Sequence, residues 1–162
     1  MQSLIDPLWG PGAHSYMKAG FMGGIDDQAI EALVAHHADA SSAKSEIHIH
    51  HVGGAVARVD ADATAFGERD APFLLNILTS TFTAEGYDEA VGWAHGLHSA
   101  LEPALTGRSY VNFLSGEGQE RVRAAFRPES YDRLVALKDE YDPTNVFRLN
   151  QNIAPSGTDG AG

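Results

Sequence analysis

Ser45-Glu46-Ile47-His48-Ile49-His50-His51-Val52 alternates apolar and polar residues with the two-residue period of a half-buried strand. Ala71 to Thr83 follows as an apolar and β-branched run, with Phe73, Leu74, Leu75, Ile77, Leu78 and Phe82, and reads as a buried strand. Between them Gly53-Gly54 interrupts the first strand, Ala55 to Val59 resumes it, and Asp60 to Ala63 turns. Strands that neighbour one another in this way, set apart from helices, predict an α+β fold: an antiparallel sheet covered by helices on one face.

Working outward, Asp26-Asp27 caps a helix whose face is Ala29, Ile30, Leu33 and Val34. A second helix spans roughly Tyr87 to Leu101 and stops at Pro103. Tyr110-Val111-Asn112-Phe113 reads as a short strand with Tyr110 and Asn112 on one face. Glu117 to Phe126 is a short helix, and Ser130 to Tyr141 is another with Ser130 as its cap and Asp142-Pro143 as its stop. Phe147 to Ile153 is an extended C-terminal segment. The first 24 residues, rich in glycine and proline, read as irregular chain held on a surface by Trp9, Tyr16 and Phe21. One domain over 1–155 and a disordered tail over 156–162 are expected.

Composition excludes several classes. The 162 residues carry no cysteine, so disulfides, thiolate metal sites and a cysteinyl cofactor bond are absent. Twenty-two acids against eleven bases disfavour a nucleic-acid partner. No apolar run is long enough to span a membrane. The start has neither a basic nor an apolar leader segment, so the cytoplasm is the expected compartment. There is no βαβ alternation and no glycine-rich strand-to-helix loop for a nucleotide. His48, His50 and His51 cluster, but no fixed-spacing partner completes a ligand set, and they read as surface histidines with no metal. Ser115-Gly116-Glu117-Gly118 reads as a turn feeding a helix, not a phosphate loop.

Two further stretches stand out. Tyr110 with Asn112 forms a polar pair that needs partners. Asn150-Gln151-Asn152 places three amides in a row after an apolar run.

Tyr110-Val111-Asn112-Phe113 followed by Arg133-Leu134-x-x-Leu137-Lys138-x-x-Tyr141-Asp142-Pro143-x-Asn145-x-Phe147-Arg148-x-Asn150-Gln151-Asn152-Ile153-x-Pro155 resembles the C-terminal region of the berberine-bridge-enzyme type of FAD-linked oxidases. His51-Val52-Gly53-Gly54-Ala55-Val56 and Ala63-Thr64-Ala65-Phe66-x-x-Arg69 are similar to that family's substrate-domain strands, and Trp93-Ala94 fits as well. The resemblance runs from about Tyr16 to Pro155. It implies FAD as cofactor, held mainly by a separate flavin-binding module that is expected on another chain or a missing upstream segment. It implies a small-molecule substrate, an alcohol, sugar or secondary metabolite, dehydrogenated by hydride transfer to flavin. It implies Tyr110 as the catalytic base and Asn112, Asn150, Gln151 and Asn152 near the cofactor. The position of a glutamate base used by other members aligns with Ala63, and Glu68 lies several residues away, so no glutamate base is expected. The alternative is a non-redox binding domain, or a truncated fragment, derived from such an oxidase. Oligomerisation is left open. A chain of this kind standing alone should expose an apolar patch or a sheet edge.

Overall fold

The computed structural model describes residues 12–157. Strands β1 (His14–Met22), β2 (Glu46–His51) and β3 (Phe73–Thr81) form one antiparallel sheet in the order β1-β3-β2. Helices α1 (Asp27–Ala38), α2 (Ala84–Ala100), α3 (Gln119–Ala124) and α4 (Pro128–Tyr141) complete the regular structure, with single 3₁₀ turns at Glu102–Ala104 and Val111–Phe113. The α+β expectation holds, and α1 and α2 lie on one face of the sheet.

Where irregular chain was expected, the structure has β1. The reason is that β1 lacks alternation. Tyr16, Lys18, Gly20 and Met22 face the helices, while Ala19 and Phe21 are buried on the other face. A strand buried on both faces carries no two-residue signal. The part of that expectation covering residues 1–11, Trp9 included, lies outside the described residues.

With β1 present, the expected absence of a βαβ unit is also corrected. β1 and β2 both run antiparallel to β3, so they are parallel to one another, and α1 crosses between them. After α2 the chain returns along the outer edge of β1, where Met22 bridges Leu105. This β-α-β-β-α-β course is the ferredoxin-like split βαβ, its last strand reduced to that bridge and a few hydrogen bonds. The approach is close: a Cβ on Gly20 would lie 2.8 Å from Leu105 Cδ2.

Local chemistry fixes the helix ends. Asp26 accepts from the Ala29 amide at 2.8 Å, as expected of a cap, and Thr83 accepts from Gly86. α4 begins earlier than the Ser130 cap predicts, because Pro128 takes the first turn, where a missing N–H costs nothing. The main core, Leu75, Ile77, Ala94, Leu97 and Leu101 with Tyr16 and Met22, fills the space between sheet and helices.

Residues 55–59 do not resume a strand but form successive turns. Arg69 gathers that excursion: its guanidinium donates to Val56 O and Thr64 Oγ1 and lies over the Phe66 ring. The C-terminal segment is not fully extended either. The Asp142 carboxylate accepts from Lys138 Nζ at 2.5 Å, Val146 N at 2.7 Å and Phe147 N at 3.0 Å. Lys138 holds that carboxyl below the usual range. Asn145 and Asn150 turn the chain at φ of 54° and 61°, a region asparagine tolerates. The segment presents Phe147 and Leu149 to solvent at 81% and 84% exposure, beside exposed Leu137, Tyr141 and Val146. Of the expected tail, 156–157 form a turn and 158–162 lie outside the described residues.

The β2 edge is open among the described residues. Val52 N donates to Pro72 O at 2.7 Å, which directs the backbone groups of the even-numbered residues toward β3. Those of Ile47, Ile49 and His51 therefore point outward. Among the described residues no helix is long and apolar enough to cross a membrane.

Candidate functional site

The helix-free face of the sheet carries the sequence-predicted residues. Its floor is Met17, Ala19 and Phe21 of β1, Leu74, Asn76 and Leu78 of β3, and Glu46, His48 and His50 of β2. Asn76 sits in the middle, in register with Ala19 and His48. It is 2% exposed, and its Oδ1 has no hydrogen-bond partner among the described residues. A buried amide oxygen without a donor is costly and points to a missing partner.

Over this floor stands an arch, residues 110–114. Its first foot is Ser109, whose Oγ donates to the Ala19 carbonyl at 2.8 Å. Phe21 N also donates to Arg108 O at 2.9 Å, and Arg108 pairs with Glu68 at 3.2 Å. Its second foot is Ser115, whose N–H donates to Met17 O at 3.1 Å while its Oγ accepts from Met17 N at 2.8 Å. Five residues thus span the gap between Ala19 and Met17, about 7 Å along a strand. They cannot lie flat. They rise as a 3₁₀ turn, closed by Phe113 N donating to Tyr110 O at 2.9 Å. This is why Tyr110-Val111-Asn112-Phe113 is not the short strand its composition predicts.

The arch leans on the floor through rings. Tyr110 packs edge-on to Phe113 at 5.1 Å and to Phe66 at 5.8 Å between centroids. Phe66 meets Phe21 at 5.9 Å, and Phe113 meets His50 at 5.5 Å. A string of rings therefore crosses the face from β1 to β2. The expected pairing of Tyr110 with Asn112 is present in a different form: Asn112 Nδ2 donates to Tyr110 Oη at 2.7 Å. Among the described residues no acceptor takes the tyrosine proton, and an amide donor on its oxygen favours negative charge there.

The three terminal amides do separate things. Gln151 Nε2 donates to the Leu114 carbonyl and ties the C-terminal segment to the arch. Asn150 is exposed and forms the left-handed turn, its carbonyl accepting from Asn152 N at 3.0 Å. Asn152 Oδ1 is buried without a partner among the described residues. Gln151 is therefore the one of the three joined to Tyr110's segment.

Ala63 lies in an exposed bend, and Glu68 is engaged by Arg108. His48 Nε2 lies 2.7 Å from Glu46 Oε2, and its ring is 6.0 Å from that of His50. Among the described residues no group of three or more His, Cys, Asp or Glu could hold a metal. Sequence reading passed over Asn76, whose polarity inside an apolar strand was its one signal. Ser109 carries no signal in the sequence, and Ser115 and Glu117 read only as part of a turn feeding a helix, because their partners lie about a hundred residues away in β1.

The face suits the ring end of a flavin: planar side chains line it, and Asn76 supplies an unmatched acceptor. A glycine-rich loop for the nucleotide end is not among the described residues.

Residues 109–154 match the family described as berberine and berberine like. An uncharacterized FAD-linked oxidoreductase, YgaK, of Bacillus subtilis is 38% identical over 104 residues, covering 64% of this chain and 23% of its own length. The (R)-6-hydroxynicotine oxidase of Paenarthrobacter nicotinovorans is 33% identical over 117 residues, covering 65% of this chain and 25% of its own length. A glycopeptide hexose oxidase, solved in complex with teicoplanin, shares the fold with a TM-score of 0.74 at 21% identity, over 89% of this chain and 33% of that one. Residues 109–154 are thus similar to the berberine and berberine-like family, and the chain spans about a quarter to a third of the length of the FAD-linked relatives it matches.

Proposed function

We propose that this chain is the substrate-domain portion of an FAD-dependent oxidoreductase that dehydrogenates a small alcohol, sugar or secondary metabolite, with Tyr110 as its base. The observation that carries the reading is the Asn112-to-Tyr110 hydrogen bond at the crest of an arch over an aromatic-lined face. The flavin, when bound, supplies a two-electron hydride acceptor. Tyr110 takes the substrate's hydroxyl proton on its oxygen and passes its own to water, and the Asn112 amide holds the ring oxygen in place for that exchange. Asn76 and Asn112 face the ring system or the substrate. Asn150, Gln151 and Asn152 lie toward the cofactor, with Gln151 coupling that segment to the arch. The rings of Phe66, Phe113 and His50 exclude water from the reacting atoms.

The flavin-binding module docks on surface that this chain leaves uncovered. Leu137, Tyr141, Val146, Phe147 and Leu149 form one exposed apolar region, and the β2 edge offers unpaired backbone groups for sheet extension.

The test is to replace the matching segment of the YgaK protein with this chain and measure retained flavin and oxidation of a panel of sugars and small alcohols, the best of which serves for all turnover measurements. A coloured, active hybrid supports the reading. A well-folded hybrid that never holds flavin overturns it and favours a non-redox binding role.

A further inference from the structure

Beneath the second foot of the arch, on the opposite side of β1, lies a buried polar cluster with no part in the chemistry above. Glu117 is its centre. Its Oε2 accepts from Lys18 Nζ at 2.5 Å, with the two side chains 9% and 8% exposed. Its Oε1 accepts from the Tyr16 hydroxyl, and Tyr16 Oη in turn lies 2.9 Å from His95 Nε2 of α2. Arg121 of α3 stands 3.8 Å away, and His98 and Tyr87 of α2 also face these groups. Burial opposes the charge on Glu117, but hydrogen bonds from Lys18 and Tyr16 outweigh it and hold the carboxyl below its usual range.

We infer that Glu117 is a positioning residue, a clasp that fixes the second foot of the arch and so the place of the Tyr110 oxygen. Glu117 stands two residues beyond Ser115, which binds Met17, and Gly118 at φ 85° turns the chain directly into α3. Lys18 is the neighbour of Met17, so clasp and foot grip the same point of β1 from its two sides. A buried ion pair adds little net stability over an apolar pair of the same size, whereas it does fix direction. If stability were its role, methionines would serve equally well. The inference rests on the reading of Tyr110 as base, and the experiment separates the two.

The experiment uses the double variant Lys18→Met with Glu117→Met, which removes both members of the buried pair and leaves Arg121, whose side chain is 30% exposed, to water. Amide hydrogen exchange is followed on this chain, and turnover is followed in the YgaK hybrid beside Tyr110→Phe. The expected result is exchange at residues 109–118 at least ~10-fold faster, with β3 unchanged. In the hybrid the expected result is a fall in kcat of at least ~10-fold with KM and flavin content held. Parent-like exchange at 109–118, or a uniform rise across β3 and α2 as well, overturns the clasp. If Tyr110→Phe abolishes turnover but the double variant keeps it, the clasp is overturned and the base stands. If Tyr110→Phe leaves turnover intact, the base is overturned while exchange still decides the clasp. Should the double variant not fold, the same exchange comparison on Glu117→Gln decides.

Discussion

Ser109→Ala removes one atom from the first foot of the arch. Ser109 is 2% exposed and Ala19 is fully buried, and the Ala19 carbonyl points away from β3 toward the Ser109 hydroxyl 2.8 Å away. No other donor reaches that carbonyl among the described residues. Deleting the hydroxyl leaves a buried backbone acceptor unsatisfied, which costs about 1–3 kcal/mol. For a domain of this size that corresponds to a fall in Tm of roughly 2–12 °C. Thermal unfolding by circular dichroism reads it directly. Ser109→Thr keeps the hydroxyl and should recover part of the loss. Thr106→Ala is the control: its 3.4 Å bond from Arg108 N lies on the exposed surface, and its effect should stay within about 0.5 kcal/mol. If Ser109→Ala melts within a degree or so of the parent while the control behaves as expected, the arch is not held by that bond and the reasoning fails.

Three other outcomes follow from the same geometry. Burial pushes the His98 imidazole down to about 4, with Lys18 adding to the effect. A histidine with a depressed folded pKa stabilises the fold above its unfolded value of about 6.5, and that contribution is lost as the pH falls toward 4. Glu117, also depressed, adds stability above its unfolded value of about 4.3 that is lost as the pH falls through its folded value. Tm should therefore drop below pH ~6.5, and His98→Gln should flatten the upper part of that drop; an unchanged profile would count against it. Phe147→Ser and Leu149→Ser should leave the Tm of this chain within about a degree, because both side chains are exposed, yet weaken flavin retention in the hybrid; equal retention would refute the docking surface. Asn112→Ala in the hybrid should lower kcat by roughly 10-fold or more with flavin still bound, and an unaltered kcat would remove Asn112 from the chemistry.

What was legible in the sequence was what has a period. β3 announces itself by apolar run and β-branching, α1 by its Asp26 cap, and the end of α4 by Asp142-Pro143; of the face expected for α1 only Ala29 and Leu33 are buried, while Ile30 and Val34 are exposed because the helix turns its Ala29–Leu33 side to the sheet. β1 does not, because Lys18 occupies a buried position made tolerable by Glu117, 99 residues away. The Tyr110 segment has strand composition, yet two feet tied to nearly adjacent residues of β1 force it into a turn. Its chemical partners were legible as residue types, Tyr110 with Asn112, while the hydrogen bond between them depends on that turn. Ser115 and Glu117 sit in a stretch whose glycines suggest only a bend. Their meaning is entirely tertiary, since neither the Met17 backbone nor the Lys18 ammonium can be matched to them by spacing.

The central claim, that Tyr110 is the base of a flavin-dependent dehydrogenation, is tested most directly by Tyr110→Phe in the YgaK hybrid, with flavin content and turnover measured on the same preparation. The account predicts full flavin content and a loss of kcat of about 10²-fold or more, the scale of a lost general base. Full flavin content with undiminished kcat would contradict it.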